Sequence, residues 1–362
     1  MTTVRTPETP PIPEIFRTEV VKRNLDRFRR SVDVILDRDP PVVGATPKDV
    51  IFAKGTMRLY RYRPVTDEVY RIPIVLVMSL ISKPYILDLS PGQSLVEYLL
   101  REGFDVFMVD WGVPRPEDSR LGLEYYALEA LPRNIEEVQR VTGEEEVSIL
   151  GYCMGGLFAL MYNGIVHDAP IANIVCAATP VDFDGMGLLK RWSDPRWFDV
   201  DRLVDSLGNV PPDLILRSFE MLRPAQRWAT YARLTDNLWN ELWVKNYRLF
   251  NRWVNDQIPF PGEAYRQMIK ELMWENKLMK GEFDLSGRRV DLGAIACPVL
   301  HVMAEHDDIA PFDATRPLTS LVGSDDKEDV ILKGGHVSLV AGRNAWFRLW
   351  PKISEWLGAR SV

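Results

Sequence analysis

Val147-Ser148-Ile149-Leu150-Gly151-Tyr152-Cys153-Met154-Gly155-Gly156 is the stretch on which the reading of this chain turns. Four apolar-to-small residues predict a buried strand. The glycines that follow predict a turn too tight for side chains two positions either side of Cys153, and the apolar residues beyond Gly156 predict a helix. A strand that breaks at a glycine-flanked nucleophile and runs into a helix is a nucleophile elbow. Such a turn lifts the reactive atom above the sheet and points the next backbone N–H, that of Met154, at the reacting carbonyl. The residue at the apex is cysteine, and a helix N-terminus favours thiolate over thiol. The pattern therefore predicts thioester chemistry on Cys153.

Working outward, apolar runs alternate with helical spacing. Val50 to Arg63 reads as two short strands around Gly55, and Ile72 to Met78 as a strand buried on both faces. Ser94 to Glu102 fits a helix, Phe104 to Val109 a strand and Glu124 to Gln139 a helix, before the elbow strand and then Ile171 to Ala178. This alternation indicates a mostly parallel sheet of βαβ units, and with the elbow it predicts an α/β class chain with the α/β-hydrolase fold.

From about Asp182 to Asp291 the pattern turns helical and aromatic-rich. It holds Trp192, Trp197, Trp228, Trp239, Trp243, Trp253 and Trp274, seven of the 11 tryptophans. We read 182–291 as an inserted helical cap, 41–181 with 292–362 as the core, and 1–40 as an N-terminal extension carrying a charged helix over Glu14 to Asp39. The sheet resumes at Cys297 to Met303 and Asp329 to Leu332, and Asn344 to Gly358 fits a closing helix.

Composition limits the alternatives. A length of 362 residues, 46% hydrophobic and 26% charged, describes a globular chain with a large core. A formal charge of −7 gives no electrostatic case for nucleic acid. Cys153, Cys176 and Cys297 are too few for a disulfide framework and suit a reducing, cytoplasmic setting. Met1 to Pro13 has no apolar core of a secretory signal. Val147 to Val166 carries no charge, yet its glycines and Asn163 suit strand, turn and helix rather than a transmembrane span.

A thiol nucleophile needs a base, and the base needs an orienting acceptor. The histidines are His167, His301, His306 and His336. In an elbow fold the order is nucleophile, acid, histidine, the last two on loops after late strands. His336, in Gly334-Gly335-His336-Val337 after the last strand, fits as base. The loop Glu305-His306-Asp307-Asp308 supplies the acid as Asp307 or Asp308, with His306 turned to solvent. A second oxyanion donor is expected from the backbone near Leu80 or Ile81, after the strand Ile72 to Met78. No glycine-rich phosphate loop, paired-cysteine zinc motif or HExxH occurs, so no metal or cofactor is expected.

From about Pro73 onward the chain also resembles the polyhydroxyalkanoate (poly-3-hydroxybutyrate) synthases. The resemblance rests on the Gly-x-Cys-x-Gly-Gly box at 151–156, Lys83-Pro84-Tyr85-Ile86-Leu87-Asp88-Leu89 with Ser94-Leu95-Val96, and Gly103-Phe104-Asp105-Val106 with Val109-Asp110-Trp111-Gly112. Thr179-Pro180-Val181-Asp182-Phe183, Cys297-Pro298-Val299-Leu300 and Gly334-Gly335-His336 complete it. Length and the close of the chain are similar to the class III catalytic subunit, PhaC, with class IV as the other short type. The resemblance implies a Cys153, Asp307, His336 triad that polymerises (R)-3-hydroxyacyl-CoA, such as 3-hydroxybutyryl-CoA, and releases CoA. It also implies a second, PhaE-like or PhaR-like subunit, a homo- or hetero-oligomer, and a place at the surface of the nascent polyester granule. The family shows Asp-His where this chain has Asp307-Asp308, which assigns the acid to Asp307. Two other readings compete: a cysteine hydrolase or thioesterase with water as acceptor, and a non-catalytic scaffold on the same fold, which a complete triad argues against.

Overall fold

The apolar runs become the centre of one sheet because neither face of them meets water. In chain order the strands are β1 (Lys48–Lys54), β2 (Met57–Tyr62), β3 (Ile74–Val77), β4 (Val106–Asp110), β5 (Val147–Tyr152) and β6 (Ile171–Ala177). They continue with β7 (Asp284–Leu285), β8 (Arg288–Arg289), β9 (Val299–Ala304) and β10 (Lys327–Leu332). The computed structural model describes residues 41–361 with Lys22 and Leu25; the side chains of 226–228, 231 and 235 also fall outside it. The predicted extension 1–40 and its helix Glu14 to Asp39 therefore lie outside the described residues, those two positions apart.

The large sheet has the order β1-β2-β4-β3-β5-β6-β9-β10. β1, β2 and β4 pair antiparallel, and from β4 to β10 every neighbouring pair is parallel. Every residue of β3, β5 and β9 is buried, as strands covered on both faces require. β10, at the edge, alternates exposed and partly buried residues instead. β7 and β8 depart from the sequence expectation. They form a two-stranded hairpin inside a span read as helical, closed by Ser286 and Gly287 at φ 51° and 73°. Positive φ at both central positions is the hairpin turn that matches strand twist.

β9 and β10 are also joined by side chains. His301, fully buried in mid-strand, faces its register partner Asp329, with Nδ1 3.0 Å from Oδ1. The second oxygen of Asp329 accepts from Thr319 Oγ1 at 2.9 Å.

Residues 42–223 and 253–362 form one compact unit, and 224–252 belong to another. These boundaries differ from the predicted insertion 182–291. Its flanks bury Val200, Val204, Val210, Phe260, Ile269 and Leu272 in the same apolar cluster as β3 and β5, so they belong with the sheet. Each such side chain, fully buried, contributes about 1.5–3 kcal/mol.

The motif over Lys83 to Leu89 has a structural centre in Asp88. Its buried carboxylate accepts from Thr46 Oγ1 at 2.5 Å and Ser94 Oγ at 2.9 Å, while its carbonyl accepts from Gly44 N–H at 2.8 Å. Ser94 also caps the helix Leu95–Arg101, accepting from Glu97 N–H. Burial raises the Asp88 carboxyl above its ordinary value, with Thr46, Ser94 and Lys48 opposing. Asp88→Ala should therefore leave two buried hydroxyls unpaired and lose about 1–3 kcal/mol of stability, read as a lower urea midpoint at unchanged slope.

Candidate active site

β5 ends at Tyr152 and the chain reverses at Cys153, which sits at φ 55° and ψ −116°. A left-handed φ on a residue with a Cβ costs about 1–2 kcal/mol and persists only where its surroundings impose it. Here they do. The Cys153 N–H donates to Ala177 O at 2.8 Å, and Thr179 Oγ1 and the Gly156 N–H donate to Cys153 O at 3.2 and 3.1 Å. A Cβ on Gly151 would collide with Gly156 N, one on Gly155 with Val77 O, and one on Gly156 with Thr179 Oγ1. The glycines therefore admit both the turn and the approach of β3 to the first turn of the helix Met154–Ile165. Cys153 remains partly exposed.

His336 follows β10 and is nine-tenths buried or more. Its Nδ1 lies 2.7 Å from Asp307 Oδ2, on the loop after β9. The other oxygen of Asp307 accepts the N–H groups of Ile309 at 2.9 Å and Ala310 at 2.8 Å, so the buried carboxylate is fixed from behind. Nδ1 is thereby engaged, and Cys153 is among the groups that favour the charged form of the ring. Burial alone would push the imidazolium down. The charge and hydrogen bond of Asp307, with the influence of Cys153, outweigh it and raise His336 from near 6.5 to about 10. Asp308 faces the other way, in an ion pair with Arg223 Nε, whose Nη2 donates to His306 O at 3.4 Å. His306 and His167 are exposed, and His301 is occupied by Asp329. The structure thus brings Cys153, His336 and Asp307 together and leaves Asp308 outside the group.

Of the three expected backbone donors, the N–H groups of Met154 and Leu80 have no hydrogen-bond partner among the described residues. The Ile81 N–H donates to Ser79 Oγ at 3.3 Å. Two supporting residues were missed in the sequence reading. Tyr152, fully buried, donates its hydroxyl to His336 O at 3.2 Å and lies 5.0 Å, ring to ring, from the imidazole. Trp111 donates its indole N–H to Met78 O at 2.9 Å, fixing the end of β3 from which the Leu80 loop departs. Their signal was position, in the elbow and in the Asp110-Trp111-Gly112 motif. A cavity of about 230 Å³ opens beside that loop, between Leu80, Trp111, Tyr126 and Pro261, and Cys153 does not line it. Among the described residues no group of side chains is arranged for a metal ion, and no helix is long and apolar enough to cross a membrane.

Residues 79–342 match the family described as "alpha/beta hydrolase fold", and 41–99 match "Poly-beta-hydroxybutyrate polymerase (PhaC) N-terminus". The "Poly(3-hydroxyalkanoate) polymerase subunit PhaC" of Allochromatium vinosum is 33% identical, over 96% of this chain and 99% of that protein. The protein of that name from Haloferax mediterranei is 34% identical over 96% of this chain and 73% of its own length. This chain belongs to the PhaC family of poly(3-hydroxyalkanoate) polymerases. PhaC polymerases are acyltransferases, and this one carries the α/β-hydrolase fold. A solved structure of a putative lipase from Sulfolobus solfataricus shares the fold alone, at a TM-score of 0.57 and 15% identity, covering 89% of this chain and 97% of that one.

The raised His336 links stability to pH in a definite sense. A folded value above the unfolded one stabilises the protein fully below pH ~6.5, and that contribution fades as pH climbs through about 10. Urea midpoints of the wild type should fall across this window relative to Asp307→Asn, which removes the charge that holds the proton. Parallel midpoints would refute the pairing. In activity, Asp307→Asn should cut turnover at least tenfold more than Asp308→Asn.

Proposed function

We propose that this PhaC polymerises (R)-3-hydroxyacyl-CoA, with 3-hydroxybutyryl-CoA as the representative substrate, through a covalent acyl-thioester on Cys153. The observation that carries the reading is a cysteine at φ 55° in the elbow, in a fold that also holds an imidazole in place with Asp307.

His336 carries the Cys153 proton as imidazolium, and the thiolate sulfur attacks the thioester carbonyl. Negative charge gathers on the carbonyl oxygen, toward the N–H groups of Met154 and Leu80. The C–S bond to CoA breaks as the imidazolium returns its proton to the departing sulfur. His336 is then neutral and accepts the 3-hydroxyl proton of another acyl unit. That hydroxyl oxygen attacks the acyl-enzyme, the ester forms, and the Cys153 sulfur is released. Exchange of one thioester for another is nearly isoenergetic, so the barrier is set by positioning and charge rather than by bond strength. Asp307 orients the ring and stabilises the imidazolium without itself taking the proton.

The growing ester must be kept from water, since hydrolysis would end the chain. The apolar, tryptophan-dense segments of 182–291 supply surface for that. The reading extends to a second synthase subunit of the PhaE or PhaR type, to homo- or hetero-oligomers, and to a cytoplasmic place at the polyester granule surface.

The test is purified protein with (R)-3-hydroxybutyryl-CoA, with and without a candidate second subunit, following free thiol and turbidity together. Thiol release with rising turbidity is expected. Thiol release with soluble hydroxy acid and no polymer would identify a thioesterase instead. Cys153→Ala should abolish both signals, and polymer from that variant would remove Cys153 from the role of nucleophile.

A further inference from the structure

The Leu80 loop is held by a short segment far away in sequence. Between β3 and Pro84 the chain has little regular structure, so something must fix the direction of the Leu80 N–H. The clamp comes from residues 253–258, where the chain re-enters the sheet-bearing unit after 224–252. Ile258 N–H donates to Ile81 O at 3.1 Å, and Ser82 pairs with Gln257 as an antiparallel bridge. Trp253 donates its indole N–H to Lys83 O at 3.0 Å.

Asp256 ties these contacts together. One carboxylate oxygen lies 2.7 Å from Lys83 Nζ, and the other accepts from Tyr85 Oη at 3.0 Å. A single carboxylate thereby grips the loop at two points two residues apart. Lys83 and Asp256 are each about 36% exposed, so solvent screens the ion pair. Its use is geometric: both oxygens are engaged, and the loop cannot rotate about either bond alone.

We propose that Asp256 is a positioning residue for the oxyanion donor. It fixes the Leu80–Tyr85 loop so that the Leu80 N–H meets the charge developing on the acyl oxygen. This rests on the assignment of Cys153 as nucleophile and of Leu80 as donor. The role differs from general support of the fold, because displacement of a halide at a saturated carbon builds no oxyanion and does not need that donor.

Asp256→Ala and Asp256→Asn should each be compared with the wild type for kcat and KM of CoA release from (R)-3-hydroxybutyryl-CoA. The rate of Cys153 alkylation by iodoacetamide is measured alongside. A lost oxyanion donor costs 10²–10³ in kcat and a displaced one less, so about a 10–100-fold fall in kcat is expected for Asp256→Ala. KM and alkylation should stay within about twofold of wild type. Asp256→Asn retains the volume and the acceptor for Tyr85 and should fall between the two, which keeps the test valid where the alanine variant unfolds. Unchanged kcat in Asp256→Asn and Asp256→Ala would overturn the proposal, as would kcat and alkylation falling together. Cys153→Ala in the same assay separates the two claims. CoA release from it would sink the nucleophile assignment, whereas its silence beside a fully active Asp256→Ala would sink the positioning role alone.

Discussion

Everything at the site depends on one strained turn. Cys153 can hold φ 55° only because β5 delivers it between β3 and β6 and the next helix starts at once. The fixing bonds come from Ala177, the last residue of β6, and from Thr179 just beyond it. The clearance at Gly155 is set by Val77 at the end of β3. The three central strands and the helix Met154–Ile165 must therefore be packed before the cysteine takes its working shape. Burial of β3, β5 and β6 is the driving force, and the strained nucleophile is its product.

The parallel core could be read in the sequence because doubly covered strands must be apolar throughout, as in Ile74–Val77 and Val147–Leu150. The elbow was legible because only glycine tolerates its contacts. His336 stood out by its place after the last strand. The choice between Asp307 and Asp308 rested on resemblance alone. The residues are adjacent, and what separates them is three-dimensional: Ile309 and Ala310 N–H groups face one carboxylate, and Arg223 faces the other. Arg223 lies 85 positions before Asp308, so no local pattern could report it. The hairpin β7–β8 escaped notice for a different reason. Two residues per strand are too few for alternation to register, and only Ser286-Gly287 marked the turn.

Residues on either side of 224–252, within the sheet-bearing unit, meet different loops of the site. Arg223, just before it, braces the loop that carries Asp307, through Asp308 and His306 O. Trp253 and Asp256, just after it, brace the loop that carries Leu80. The loops of Asp307 and of Leu80 are thus anchored by residues that flank 224–252 on either side. The departure from the family's Asp-His pattern also becomes intelligible, since a histidine at 308 would offer Arg223 no fixed negative charge.

The pair His301–Asp329 works like a vernier between β9 and β10. In a parallel pair each one-residue slide moves the register by about 3.3 Å and turns a side chain to the opposite face. At that offset Asp329 could no longer meet the buried imidazole. The same slide would carry His336, beyond the end of β10, away from Asp307, beyond the end of β9. Such a slide is thus penalised in mid-strand as well as at the faces of the sheet, out of reach of solvent. The alignment of His336 with Asp307 is inherited from a histidine buried within the sheet.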